Sequence, residues 1–297
     1  MKKSVCAVLL CACLLLAACG GGPLIEEIPT PKPTKTPRIL VLGDSISTGY
    51  GLEGYQVGKV PPNSYAALLS AAKGYPLTDK AVDGRTTITL LAQLNSGGLD
   101  ADLAAATVVC LTIGGNDMMG ALARAVAEKV NLPHAEGATI EDVFNQLDLT
   151  TILSLLTVLN SITDNPIFAQ ALSQATENLV ACVDYIRGQN PAAKIILATQ
   201  YNPYQWIEPL RFGPLSYDLT PPFIKGVDLL NAMLTDPANG AGTKYHIADA
   251  CTAFRDSTET LTNPTKTGEG LVGYDLDFHP NAAGHQTLAD VFLPLVP

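Results

Sequence analysis

Ser45 stands where an apolar run stops. In "VLGDSISTGYGLEGY", Val41 to Tyr55, strand-type residues end at Gly43-Asp44-Ser45, and small, flexible residues follow. A serine at the end of a buried strand, with a helix starting after it, lies beside unpaired backbone N–H groups and the positive end of the helix dipole. That placement favours developing negative charge. A nucleophilic serine also needs a base within hydrogen-bond reach and donors for an oxyanion. The competing reading is an ordinary strand-to-helix turn. Asp44, and Asp117 in "IGGNDM", read as acids that fix loops.

The elements that must position Ser45 alternate. "RILVLG", "YPLTDKAV", "TVVCLTIGG", "AKIILATQ" and "KYHIADA" are short, β-branched and mostly continuous apolar runs. Helical patterns separate them: Ser64 to Ala72, Thr87 to Leu94, Ala171 to Arg187, Pro222 to Leu234 and Asn281 to Leu293. This alternation predicts an α/β fold, a three-layer α/β/α sandwich around a five-stranded, mostly parallel sheet. Ligands bind such sheets beyond the carboxyl ends of the strands. Ser45 follows the first strand, Asn116 the third and Tyr201 the fourth, so all three are expected at one edge. Residues 118–168 exceed what a crossover needs. They predict added helices, either as a further helical layer or as a cap over the site. The segment "YNPYQWIEPLRFGPLSYDLTPPF" holds the only tryptophan, Trp206, and is expected near the substrate.

The wider pattern resembles the GDSL, or SGNH, hydrolases. "GDSISTGYG" matches their first block, "AVDGRTT" the second, "IGGNDM" the third and "DFHPNAAGH" the last, in family order across Arg38 to Leu295. The first, third and last blocks are specific together; Gly84, in the second, is a common kind of turn residue. The resemblance implies a flavodoxin-like sandwich and ester hydrolysis through an acyl-enzyme, with no cofactor and no metal. Ser45 would be the nucleophile and His279 the general base and then acid. The oxyanion would be held by the backbone N–H groups of Ser45 and Gly84 and by the side-chain amide of Asn116. An amide is a neutral, directed donor, and a glycine lets backbone approach substrate closely. Gly43-Asp44-Ser45 is not the strained G-x-S-x-G elbow of α/β-hydrolases.

One departure concerns the acid. The family usually carries Asp three residues before the histidine, where this chain has Leu276. Asp277 lies two residues before His279 and Asp275 four before. An extended segment favours Asp277, a helical turn favours Asp275, and a backbone carbonyl could orient the ring instead. Asp277 is the expected acid. His285 reads as a packing or surface residue, and His134 and His246 as structural. Asn281 is a candidate helix cap.

Composition narrows the partners. The formal net charge is -10 with no basic cluster in the body of the chain, which excludes a nucleic-acid partner. Residues 1–18 pair Lys2-Lys3 with an unbroken apolar run, Val5 to Ala18, too short to span a bilayer comfortably, and read as a secretory signal. Leu16-Ala17-Ala18-Cys19 resembles a bacterial lipobox, which implies cleavage before Cys19 and lipidation of its thiol. Residues 19–37, rich in glycine and then proline, read as an extended tether. Residues 38–297 form the catalytic domain. Cys110 and Cys182 read as small core residues, a Cys182–Cys251 disulfide is not expected, and no Cys/His spacing suggests a metal site.

The resulting expectation is an extracytoplasmic serine esterase or lipase anchored by lipid to the bacterial cell membrane or outer membrane, acting on a small-molecule or lipid ester. The alternative is a non-catalytic envelope binding lipoprotein that keeps the fold, a reading favoured by Leu276 at the usual acid position.

Overall fold

Five continuous apolar runs pair side by side because each has helices to cover both of its faces. The computed structural model describes residues 36–131, 149–212, 215–266 and 274–297. The segment 1–18, Cys19, most of the tether and His134 lie outside the described residues.

Strand β1 is Ile39–Gly43, followed by the single-turn helix α1, Ser45–Thr48, and by α2, Tyr65–Lys73. Then come β2, Leu77–Asp79, α3, Thr87–Asn95, and α4, Asp100–Ala105. Strand β3, Val108–Thr112, leads into α5, Gly115–Lys129, and α6, Leu149–Asn160, precedes the long α7, Pro166–Gln189. Strand β4, Lys194–Ala198, is followed by a small ribbon of β5, Leu210–Phe212, and β6, Leu215–Tyr217. Helix α8, Thr220–Thr235, leads to β7, His246–Ala248, and α9, Ala250–Arg255. A second ribbon, β8, Thr265–Lys266, and β9, Tyr274–Asp275, comes before α10, Ala282–Phe292.

The sheet order is β2-β1-β3-β4-β7 and every pairing is parallel. Alternate residues of each strand serve opposite layers. Leu40, Leu42, Val109, Leu111, Ile195 and Leu197 pack under α3 to α8. Val41, Cys110, Ile196 and Ala198 pack against α2, α9 and α10 through Tyr65, Leu69, Phe254 and Phe292. This is the expected three-layer sandwich.

The differences are local. Helix α7 starts at Pro166, five residues before Ala171, because the Asn165 side chain caps it by accepting from Ile167 N–H and proline suits a first turn. Helix α5 starts at Gly115 and not at Met118, which brings Asn116 and Asp117 into its first turn. The extra segment does both jobs expected of it: α5 and α6 belong to the same core as α7, and Met118, Leu122 and Leu159 also line the cleft described below. Cys110, Cys182 and Cys251 are free thiols. At Gly43, φ is +119°, and a Cβ there would lie 2.0 Å from Thr112 O; β1 reaches its turn this close to β3 only with glycine.

Candidate active site

The parallel strands end on one edge, and the functional side chains hang from the turns there. Ser45 opens α1, whose first N–H groups have no partner within the helix. The turn before it is braced from below. Asp44 Oδ1 accepts from Ile46 N–H at 3.1 Å and from the Thr112 hydroxyl at 2.6 Å. Ser47 Oγ lies 2.8 Å from Thr112 Oγ1 and 2.7 Å from Tyr65 Oη. Burial pushes the Asp44 carboxyl up to about 6, with the hydrogen bonds from Thr112 and Ile46 pulling only part of the way back.

His279 approaches Ser45 from the segment between β9 and α10. Its Nε2 is 2.9 Å from Ser45 Oγ, and its Nδ1 is 2.6 Å from Asp277 Oδ1. Network logic assigns the tautomer: Nδ1–H donates to the carboxylate, leaving Nε2 to accept the serine proton. Burial raises the Asp277 carboxyl, but hydrogen bonds from the His279 ring and backbone and the imidazole charge outweigh it and hold the group below its usual value. Two tyrosines pin this segment. Tyr204 Oη donates to Leu276 O at 2.9 Å and Tyr201 Oη to Phe278 O at 3.1 Å. Leu276 itself packs against the core. The imidazole is flanked by Phe278 and by the half-exposed Tyr50, with ring centroids at 4.4 Å and 4.5 Å. The side chain of Asp275 lies outside the described part of the molecule.

Asn116 sits in the first turn of α5. Its Nδ2 donates to Arg85 O at 3.0 Å, which leaves the second N–H of the amide. Asp117 Oδ2 accepts from Thr87 N–H at 3.0 Å, and its Oδ1 accepts from the Thr87 hydroxyl at 2.6 Å, tying the starts of α3 and α5 together. Gly84 occupies the β2–α3 loop, with φ +71°. That loop is joined to α1 by Asp83, which accepts from the Thr48 hydroxyl at 2.6 Å and from the Tyr55 hydroxyl. Asp83 and Tyr55 have no sequence signal for this role; they are 28 residues apart and meet only in the fold.

Ser45 and Asn116 also line a cleft that is partly open to solvent. Apart from Asp44 and Gln200, its walls are mostly apolar, among them Met118, Leu122, Leu159, Val227 and Leu230. Tyr201 lines it, but Trp206 does not; Trp206 packs beside Phe254 in the core of the opposite layer. His285 is fully buried in α10, with Nδ1 accepting from Tyr65 N–H at 3.3 Å. Burial, with a smaller push from His279, lowers it to about 3, so it is a neutral packing residue.

A family model, GDSL-like lipase/acylhydrolase, matches residues 41–287. The chain therefore belongs to that family and is a carboxylic ester hydrolase. No curated protein sequence matches it. The fold is similar to that of phospholipase A1 from Streptomyces albidoflavus NA297, at 22% identity and a TM-score of 0.60, covering 88% of this chain and 98% of that one. It is also similar to an extracellular lipase from Streptomyces rimosus, at 21% identity and 0.56, covering 87% and 97%. A third similar fold is a lipase from a goat rumen metagenome, at 18% and 0.55, covering 88% and 97%.

Proposed function

We propose that the chain hydrolyses carboxylic esters through an acyl-enzyme on Ser45. One observation carries the reading: Ser45 Oγ, His279 Nε2, His279 Nδ1 and Asp277 Oδ1 form an unbroken line of contacts at 2.9 Å and 2.6 Å. His279 takes the hydroxyl proton as Ser45 Oγ bonds to the substrate carbonyl carbon. The resulting oxyanion is held by the N–H groups of Ser45 and Gly84 and by the second N–H of Asn116. Collapse breaks the ester C–O bond, and the imidazolium gives its proton to the leaving alkoxide. Water, deprotonated by His279, then releases the acid and restores Ser45. Asp277 remains ionised throughout and stabilises the imidazolium.

The test is covalent labelling with a fluorophosphonate. The wild type should label at Ser45 and turn over p-nitrophenyl acetate, and Ser45→Ala should do neither while keeping its thermal midpoint. A wild type that binds esters without labelling or turnover would support the non-catalytic binding protein instead.

The location is a second part of the proposal. Leu16-Ala17-Ala18-Cys19 supports lipidation at Cys19 and anchoring outside the cytoplasm, with the proline-rich stretch as a tether. Cys19→Ser should release the protein from membranes; an unlipidated mature terminus by mass spectrometry in the wild type would refute it.

A further inference from the structure

The cleft beside Ser45 has a direction. Its lining includes Ser45 and the amide-bearing Asn116 but not His279 or Tyr50. In acyl transfer the histidine must hand its proton to the leaving alkoxide, so the alcohol portion of an ester lies on the His279 side. Phe278, which stacks on that ring, also lines the cleft, but most of its wall runs along α5, α6 and α8, and this part receives the other portion. The walls agree with this. Met118 and Leu122 of α5, Leu159 of α6, Ile162 just beyond it, and Val227 and Leu230 of α8 offer no polar partner to a sugar or a charged group. An apolar wall of this kind is poorly hydrated and gains from burial under an apolar guest. An enzyme restricted to acetyl groups needs no such space next to its serine.

Resting on the acyl-enzyme reading above, we propose that this cleft is an acyl-chain pocket that selects esters of acids several carbons longer than acetate, and that the Gly226–Ile162 contact sets its length. Gly226 lines the cleft on α8, and a Cβ there would meet Ile162 Cδ1 at 2.9 Å. The glycine lets Ile162, just beyond α6, pack closely against α8. A side chain at 226 must displace Ile162 or turn into the cleft.

The experiment measures kcat/KM for p-nitrophenyl acetate, hexanoate and decanoate, and for methyl and hexyl butanoate, in the wild type, Gly226→Leu and Ile162→Val. Each buried methylene should raise the wild-type value about fourfold until the pocket is full, so hexanoate should exceed acetate by well over tenfold. Gly226→Leu should lower the hexanoate-to-acetate ratio at least tenfold. Ile162→Val, a change small enough for a core to absorb, should raise the decanoate-to-hexanoate ratio and carries the test if the leucine variant does not fold. The hexyl-to-methyl butanoate ratio should stay constant across all three proteins. Acetate as the best wild-type substrate, or variants that shift the alcohol ratio and not the acyl ratio, would overturn the pocket while leaving Ser45 labelling intact. Absence of both labelling and acetate turnover in the folded wild type would remove the acyl-enzyme reading and the pocket together.

Discussion

Asp277 holds His279 twice: its Oδ1 accepts from the ring Nδ1 at 2.6 Å and from the backbone N–H of the same residue at 3.0 Å. The double bond fixes both where the histidine backbone lies and how its ring is turned. Asp277→Asn keeps an acceptor for the backbone but presents the wrong partner to one ring tautomer. It should lower kcat by roughly 10³- to 10⁴-fold, the scale of such changes in triad enzymes, with little loss in thermal midpoint. Asp275→Asn should be near wild type. Near-normal kcat in the Asp277 variant would leave a Ser45–His279 dyad.

Gly51 gives a second handle on the same group. Its φ is +82°, and a Cβ there would stand 2.8 Å from Asn263 Nδ2, 3.5 Å from Asp277 Oδ2 and 3.6 Å from His279 Cβ. Gly51→Ala should cost about 1–2 kcal/mol in backbone strain. It should also push on Asn263 and Asp277, lowering kcat about tenfold with KM changed less. A lower melting point with unaltered kcat would show that the strain is absorbed away from the histidine.

What the sequence makes legible is set by distance along the chain. The continuous apolar runs and the helical spacing between them determine the layers, because burial on both faces leaves no other pattern for β1 or β3. The acid is legible only as a choice between Asp277 and Asp275, since composition does not dictate the conformation of 275–279. The hydroxyls of Tyr201 and Tyr204, bonded to carbonyls more than 70 residues away, help position that segment. Leu276 is apolar at the position where the family resemblance leads one to expect an acid, and here it packs against the core. The segment after β4 reaches the cleft through Tyr201, Pro203 and Phe223 as its position suggests, but Trp206 does not, because following β4 identifies an edge of the sheet and not which layer a side chain joins. The cleft is legible only at Ser45, Asn116 and Tyr201, which follow strands ending on one edge; its far walls are not, because no periodicity brings Gly226 against Ile162.

Asp83 should act as a positioning residue. It joins the loop carrying Gly84 to α1 through Thr48 and to Tyr55. Removing the brace lets one oxyanion donor move relative to the nucleophile. Asp83→Ala should therefore lower kcat by roughly ten- to a hundredfold, less than the loss of a whole donor, and KM little. Tyr55→Phe should do the same more weakly. The fluorophosphonate labelling rate should fall in proportion, because phosphonylation uses the same donors. A loss confined to thermal stability would assign Asp83 a purely structural role.

The last prediction concerns Asp44, whose carboxyl burial pushes up to about 6 in the folded protein from an ordinary 3.8. Between those values the folded state holds more of the proton than the unfolded state does, so this group makes stability fall as pH rises. The loss begins near the unfolded value and is complete above about 6, where it amounts to about 3 kcal/mol. Asp44→Asn retains an oxygen to accept from Ile46 N–H and the Thr112 hydroxyl, but it does not titrate. Any fixed cost of the amide shifts the variant equally at every pH. The unfolding free energy of the variant minus that of the wild type should therefore grow by roughly 2 kcal/mol from about pH 4 to about pH 7 in urea titrations. Asp79, also raised to about 6 by burial, is present in both proteins and cancels. A difference that stays constant over that range would mean that Asp44 ionises in the fold at its ordinary pKa, and that the carboxylate beneath Ser45 carries no penalty for its burial.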